Sequence, residues 1–155
     1  MMRYFLDTEF NGFGGELMSL ALVDSDGESL YLVYPMPRRI EPWVDENVVP
    51  IMECVPAGCT LNQVNHAGGA QMIAEFFARR GGSVPYIITD WPDDVRYLCQ
   101  AIITAPGEMA PIPRLQFDIV RVESYPTMLD GAVQHNALWD AFALRERLFP
   151  SGDAP

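Results

Sequence analysis

The ten residues Met1–Phe10, MMRYFLDTEF, constrain this chain more than any other stretch. Apolar and β-favouring residues from Tyr4 to Leu6 predict a strand, which delivers two carboxylates, Asp7 and Glu9, two positions apart. Residues i and i+2 of a strand share a face, so both acids point the same way, with Arg3 and Phe5. Tyr4, Leu6, Thr8 and Phe10 take the other side. Two acids at the end of an apolar strand repel each other and lose hydration. Burying such a pair makes sense chiefly when a cation sits between them. The alternative is a frayed strand end with two solvated acids, and the stretch alone leaves the two readings level.

Beyond the Asn11–Gly15 connection, Glu16–Asp24 and Ser29–Tyr34 read as strands around the turn Ser25-Asp26-Gly27-Glu28. With the first strand they predict a three-stranded antiparallel meander. Pro35–Ala67 is broken by five prolines, and only Pro42–Val49 has the composition of a short helix, with Pro near its start. A stretch of this kind is a lid, a binding loop, an interface or a plain surface excursion. Gly69–Arg80 reads as a helix with Met72, Ile73, Phe76 and Phe77 on one stripe, followed by a short strand at Val84–Thr89. Helix signals resume at Asp90-Trp91-Pro92, with Val95, Leu98, Cys99, Ile102 and Ile103 in helical register. Arg114–Val122 is the last strand. Asn136–Phe149 is the last helix, with Ala137, Ala141, Leu144 and Leu148 inward. The order β-β-β-α-β-α-β-α predicts a mixed α/β domain. It spans residues 1–150, and 151–155 form a loose tail.

A length of 155 residues suits one domain, and 49% hydrophobic residues suffice for a core. No run approaches the ~18 uncharged apolar residues of a membrane span, so no membrane partner is expected. A strand so close to Met1 leaves no room for a signal peptide, and three unpatterned cysteines fit a reducing compartment, so a cytoplasmic protein is expected. The net charge of −11 argues against holding nucleic acid by a broad basic surface. It is compatible with an enzyme that meets phosphates through cations, since two divalent ions would change that charge from −11 to −7.

Two further acids are candidates to join Asp7 and Glu9. Asp94 lies in the first turn of the helix that follows the fourth strand, at the edge of its apolar stripe. Asp90, Asp93 and Asp94 all equally suit a helix N-terminus through capping and the macrodipole. Asp140 sits mid-helix beside inward-facing Ala141, where Asp has poor propensity and an exposed pairing with Arg145 is the alternative. His135 stands five residues earlier, at the mouth of the helix, where it is a candidate general base.

These residues carry a family resemblance. DTE at Asp7–Glu9, an Asp followed at +3 and +4 by Tyr97 and Leu98, and HNALWDA at His135–Ala141 resemble the three motifs of DEDDh-type 3′-to-5′ exonucleases. Those enzymes belong to the ribonuclease-H-like superfamily. The resemblance runs in the right order over nearly the whole chain, and His followed five residues later by Asp is its most specific part. It selects Asp94 over Asp90 and Asp93, because the family's acid precedes an aromatic and an apolar residue; Asp90 falls where many relatives carry Asn. The DTEF opening and PWVDENV at Pro42–Val48 are most similar to the small mycobacterial-type 3′-to-5′ exoribonucleases related to ribonuclease T. Trp139 and Phe142 depart from the pattern, where relatives carry a small and often a basic residue.

The resemblance implies a ribonuclease-H-like mixed sheet with flanking helices. It also implies hydrolysis that releases 5′-nucleoside monophosphates from RNA 3′ ends, single-stranded or overhanging. Two divalent cations, Mg²⁺ or Mn²⁺, would be held by Asp7, Glu9, Asp94 and Asp140, with His135 taking the proton of the attacking water. All five residues count as catalytic on this basis. Glu9, Phe10, Trp91 and His135 are the implied substrate contacts. Phe10, Phe13 and Trp91 have the chemistry to stack on a base and are equally suited to a core. Arg38-Arg39 suit phosphates or plain solvation. Cys54, Cys59 and His66 show no recognised zinc spacing. A homodimer is implied by family analogy only. The rivals are a DNA-directed exonuclease of the same fold and an inactive nucleic-acid-binding module.

Overall fold

The computed structural model describes residues 1–81, 84–123 and 126–150. Its strands are β1 (Arg3–Phe10), β2 (Leu17–Asp24), β3 (Ser29–Val33), β4 (Leu61–Gln63), β5 (Tyr86–Thr89), β6 (Ile103–Ala105), β7 (Glu108–Met109) and β8 (Gln116–Ile119). Its helices are α1 (Pro42–Asn47), α2 (His66–Ala78), α3 (Pro92–Ala101) and α4 (Ala137–Leu148). Six strands form one mixed sheet in the order β4-β3-β2-β1-β5-β8. The expected meander is there, since β2 runs antiparallel to both β1 and β3. The outer strands β4, β5 and β8 each run parallel to their neighbours β3, β1 and β5.

Strand period 2 divides the apolar residues between the two faces. Tyr4, Leu6, Leu20 and Leu22 pack with Ile73, Phe76 and Phe77 of α2 and Leu98 of α3. Phe5 packs on the opposite face with Leu144 of α4, and Ala21, Val23 and Tyr31 pack there with Ala137, Leu138 and Ala141. A β-bulge closes the β1–β2 ladder. Glu9 stands opposite Ser19 and Phe10 opposite Leu17, so Met18 has no partner across the strand. Bulges of this kind bend a strand and re-aim side chains beside a site. The turn after β2 is tied by Asp24, whose buried carboxylate accepts from the Asp26 and Glu28 amides and pairs with Arg80 at 2.8 Å.

The structure departs from the sequence expectations at four places. α2 begins at His66, three residues before the expected Gly69, because Asn65 caps it by accepting from the Gly68 amide at 2.8 Å. Gly69 belongs inside this helix: a Cβ there would meet the Tyr34 hydroxyl at 2.8 Å, so only glycine allows the approach. The buried face of α3 is Asp94, Tyr97, Leu98 and Ala101, whereas Cys99 and Ile103, expected on the apolar stripe, are exposed. Ile103 has left the helix for a β6–β7 hairpin around Pro106-Gly107, which the sequence reading missed along with β4. The last strand is shorter than expected, at Gln116–Ile119. The expected tail lies outside the described residues.

The start of α4 is fastened twice by one side chain. Buried Asn136 accepts from the Leu138 and Trp139 amides through Oδ1, and its Nδ2 donates to the Ile51 and Met52 carbonyls at 2.9 and 3.3 Å. Asn136→Ala removes an N-cap and leaves buried carbonyls without a donor, so we expect a loss of about 2–4 kcal/mol in urea unfolding. A change within about 0.5 kcal/mol, the scale of an ordinary surface substitution, would mean this double tie is not holding the helix.

Candidate metal centre

Three stretches far apart in sequence meet at the carboxyl end of β1. Asp7 and Glu9 come from β1 itself, Asp90 from the connection after β5, Asp94 from the first turn of α3, and Asp140 from the first turn of α4. They fall into two groups that share one residue. Asp7, Asp90 and Asp94 present ligand oxygens all within 4.8 Å of one another, and Asp7, Glu9 and Asp140 do the same. Asp7 is therefore common to two adjacent oxygen clusters. Among the described residues no group containing Cys54, Cys59 or His66 appears.

Each acid reaches this point for a local reason. Residues of one parity on β1 face α4, so Asp7 and Glu9 meet the helix that carries Asp140. Thr8 has the opposite parity and donates through its hydroxyl to Asp94 Oδ1 at 2.6 Å. Thr89, the last residue of β5, donates to Asp94 Oδ2 at 2.5 Å. Asp94 is 1% exposed, so it lies on the inner face of α3, within the stripe whose edge the sequence assigned to it. Its neighbour Asp93 points elsewhere, into an ion pair with Arg96 at 2.7 Å. Asp90 is not the helix cap that its composition proposed. The cap position is Trp91, with no side-chain cap bond, and Asp90 contributes its charge to the cluster instead.

The electrostatics are those of crowded, buried acids. Burial, then the charges of Asp94, Asp140, Glu9 and Asp90, raises the Asp7 carboxyl well above its ordinary range. Burial, then Asp140 and Asp94, pushes Glu9 up to about 8. Asp94 is pushed to about 7 by burial, although the two threonine hydroxyls pull it down. Asp140 goes to about 7 through burial and then Asp90, against backbone hydrogen bonds at Asn136 and His135. Among the described residues no arginine forms an ion pair with any of these four; the ion pairs present join Arg80 to Asp24 and Asp26, and Arg96 to Asp93. An all-oxygen donor set that is buried, anionic and unneutralised fits hard divalent cations.

His135 hydrogen-bonds the Asp140 carboxyl through its backbone, and its imidazole belongs to neither group. It is the one non-glycine among the described residues with a left-handed backbone, at φ 61°. Such a conformation is uncommon for a residue with a Cβ and marks positions held by their surroundings. Its ring meets Trp43 of α1 edge-on, with centroids 5.0 Å apart and planes at 82°. Trp43 was singled out by the sequence only as part of PWVDENV.

Two of the four implied substrate contacts, Phe10 and Trp91, are linked through Phe13, whereas Glu9 lies in the acid cluster and His135 meets Trp43. Phe10 stacks on Tyr97 at 4.7 Å, Phe13 lies 6.4 Å from Phe10, and Trp91 lies 6.3 Å from Phe13. Phe13 is 87% and Trp91 47% exposed, which removes the core alternative for both. Sequence reasoning missed Asp90, Thr8, Thr89 and Trp43. Only Thr8 carried a local signal, as the residue of opposite parity between two acids. No family model matches this chain, and no curated protein matches it.

The raised pKa values have a thermodynamic consequence. These carboxyls titrate near about 4 in an unfolded chain and higher in the fold. Between about 4 and about 8 the metal-free folded chain therefore holds more protons than the unfolded one, and its stability falls as pH rises through that window. We expect the metal-free protein to melt at a lower temperature at pH 8 than at pH 5, and Mn²⁺ to reverse the loss at pH 8. Asp90→Asn, which removes one of the repelling charges, should raise the metal-free melting temperature at pH 8. A metal-free melting temperature that climbs from pH 5 to pH 8 would contradict this electrostatic account.

Proposed function

We propose that this chain is a metal-dependent 3′-to-5′ exoribonuclease of the DEDDh type, on a ribonuclease-H-like sheet. The observation that carries the reading is the pair of oxygen clusters sharing Asp7, built from Asp7, Glu9, Asp94 and Asp140 with Asp90 alongside. The meander continued by parallel β5 and β8 is compatible with that sheet. The choice of RNA over DNA rests on the resemblance of DTEF and PWVDENV to the small exoribonuclease subgroup. The homodimer rests on the same analogy.

Two divalent cations bound by these carboxylates supply Lewis-acid stabilisation for an in-line displacement at a phosphodiester. The chain's own groups do the rest. Thr8 and Thr89 aim the Asp94 carboxylate, each holding one of its oxygens. His135 accepts the proton of the attacking water and releases it to solvent between turnovers, a task suited to a group outside the ligand set. Phe13 and Trp91 give the terminal bases an exposed aromatic rim, with Phe10 behind it on Tyr97. A net charge of −11 keeps nonspecific polyanion binding weak, so substrate is held locally at its 3′ end.

The test uses 5′-labelled RNA and DNA oligomers with Mn²⁺ or Mg²⁺. We expect a ladder shortened one nucleotide at a time from the 3′ end of RNA, abolished by EDTA and restored by either ion. Phe13→Ala and Trp91→Ala should each raise KM about tenfold with kcat little changed, as stacking losses of ~1–3 kcal/mol per base imply. Internal cleavage products, or full activity in EDTA, would exclude this function. Faster shortening of DNA would replace the substrate while leaving the chemistry.

A further inference from the structure

The segment 42–54, part of the long proline-rich stretch, grips the start of α4 from three directions. Val44, Val48 and Met52 pack against Ala137, Leu138 and Ala141. The Ile51 and Met52 carbonyls accept from Asn136, and the Cys54 carbonyl accepts from Trp139 Nε1 at 2.8 Å. Its other end is tied to the acid-bearing strand. Asn11, the residue after β1, donates to the Arg39 carbonyl at 2.7 Å and accepts from the Glu41 amide at 2.8 Å. One short piece of chain thus spans from the strand carrying Asp7 and Glu9 to the helix carrying Asp140. His135 meets the segment at Trp43, near the end tied to the strand.

Trp43 is the residue of this segment that faces the histidine. It is 55% exposed, so its indole adds little to the core, and α1 is seated by its neighbour Val44 instead. Yet its ring meets the imidazole edge-on at 5.0 Å. On the other side, His135 is joined directly to Asn136, whose side chain is fixed in both directions. The left-handed backbone at His135 leaves few rotamers open, and Trp43 closes one side of what remains.

We propose that Trp43 is a positioning residue that sets the direction of the His135 imidazole, and that the 42–54 segment exists to hold both at a fixed distance from the carboxylates. This rests on the reading of His135 as the base in the exonuclease. Trp43 itself touches neither phosphate nor cation. Its effect on rate passes through the histidine alone.

A double-mutant cycle on Trp43 and His135, read by turnover of a 5′-labelled RNA oligomer with Mn²⁺, tests this directly. Trp43→Ala should lower kcat about 10- to 100-fold with KM unchanged, the scale of a misplaced catalytic group. Trp43→Phe should recover most of that loss. In the His135→Ala background, Trp43→Ala should have no further effect, and Mn²⁺ affinity by calorimetry should be the same in all four proteins. A readout independent of activity is the imidazole nitrogen spectrum of the metal-free chain, which has only two histidines. Trp43→Ala should shift the His135 signals and leave those of His66 in place. Equal losses in both backgrounds, a rise in KM alone, or unmoved His135 signals would each overturn the proposal. If His135→Ala retains wild-type turnover, it is the assignment of the base that fails, and a shifted His135 spectrum would still show the contact with Trp43.

Discussion

The mutual repulsion of carboxylates at the end of β1 is the constraint around which the rest of the structure is arranged. A fold that brings Asp7, Glu9, Asp94 and Asp140 together, with Asp90 beside them, gives up hydration and gains like-charge repulsion. Hydrogen bonds from Thr8 and Thr89 to Asp94, and from the backbone at Asn136 and His135 to Asp140, offset only part of this, and among the described residues no arginine ion pair is found at these four acids. The structure spends its hydrogen bonds on direction as well. Thr8 and Thr89 hold both oxygens of Asp94, and Asn136 holds the turn from which Asp140 projects. Donors placed in this way keep carboxylates oriented whether or not the charge between them is neutralised.

The same economy explains the placement of the sheet. β1 is central, paired with parallel β5 over Arg3–Phe5 and with antiparallel β2 along its length, so the pairing with β5 ends before Asp7 while that with β2 continues past it. The bulge opposite Glu9 and Phe10 ends that pairing where side chains must turn from packing to chemistry. The proposed substrate and base residues lie beyond it, in the loop with Phe13, the start of α3 with Trp91, and the segment that brings Trp43 to His135. Sites on rigid elements with contacts on flanking loops are the usual division.

Much of this was legible from local pattern, and the remainder depended on contacts between distant segments. Alternation along β1 sufficed to pair Asp7 with Glu9 on one face. Asp140 was legible from its place five residues after His135 and beside inward Ala141, although it stands in the first turn of α4 and not mid-helix as the pattern suggested. Asp94 was harder, because the acids at 90, 93 and 94 all satisfy the same helix-start rules. What separates them is tertiary: two threonines from neighbouring strands hold Asp94, Arg96 takes Asp93, and Asp90 turns into the cluster. The early start of α2 was hidden for a similar reason. Gly68 and Gly69 give the first turn weak local propensity, and the helix starts before them because Asn65 accepts from the Gly68 amide, with Gly69 packed against Tyr34. The role of 42–54 was illegible, because its partners on α4 lie some 85 residues away along the chain.

The central claim is that these acids form two adjacent cation sites with Asp7 in both. Calorimetric titration of the metal-free protein with Mn²⁺, repeated on Asp7→Asn, measures this most directly. The account predicts two ions per chain for the wild type and a marked weakening of both in Asp7→Asn, with the fold retained in circular dichroism. Binding of two ions by Asp7→Asn with unchanged affinity, or no binding by the wild type, would contradict it.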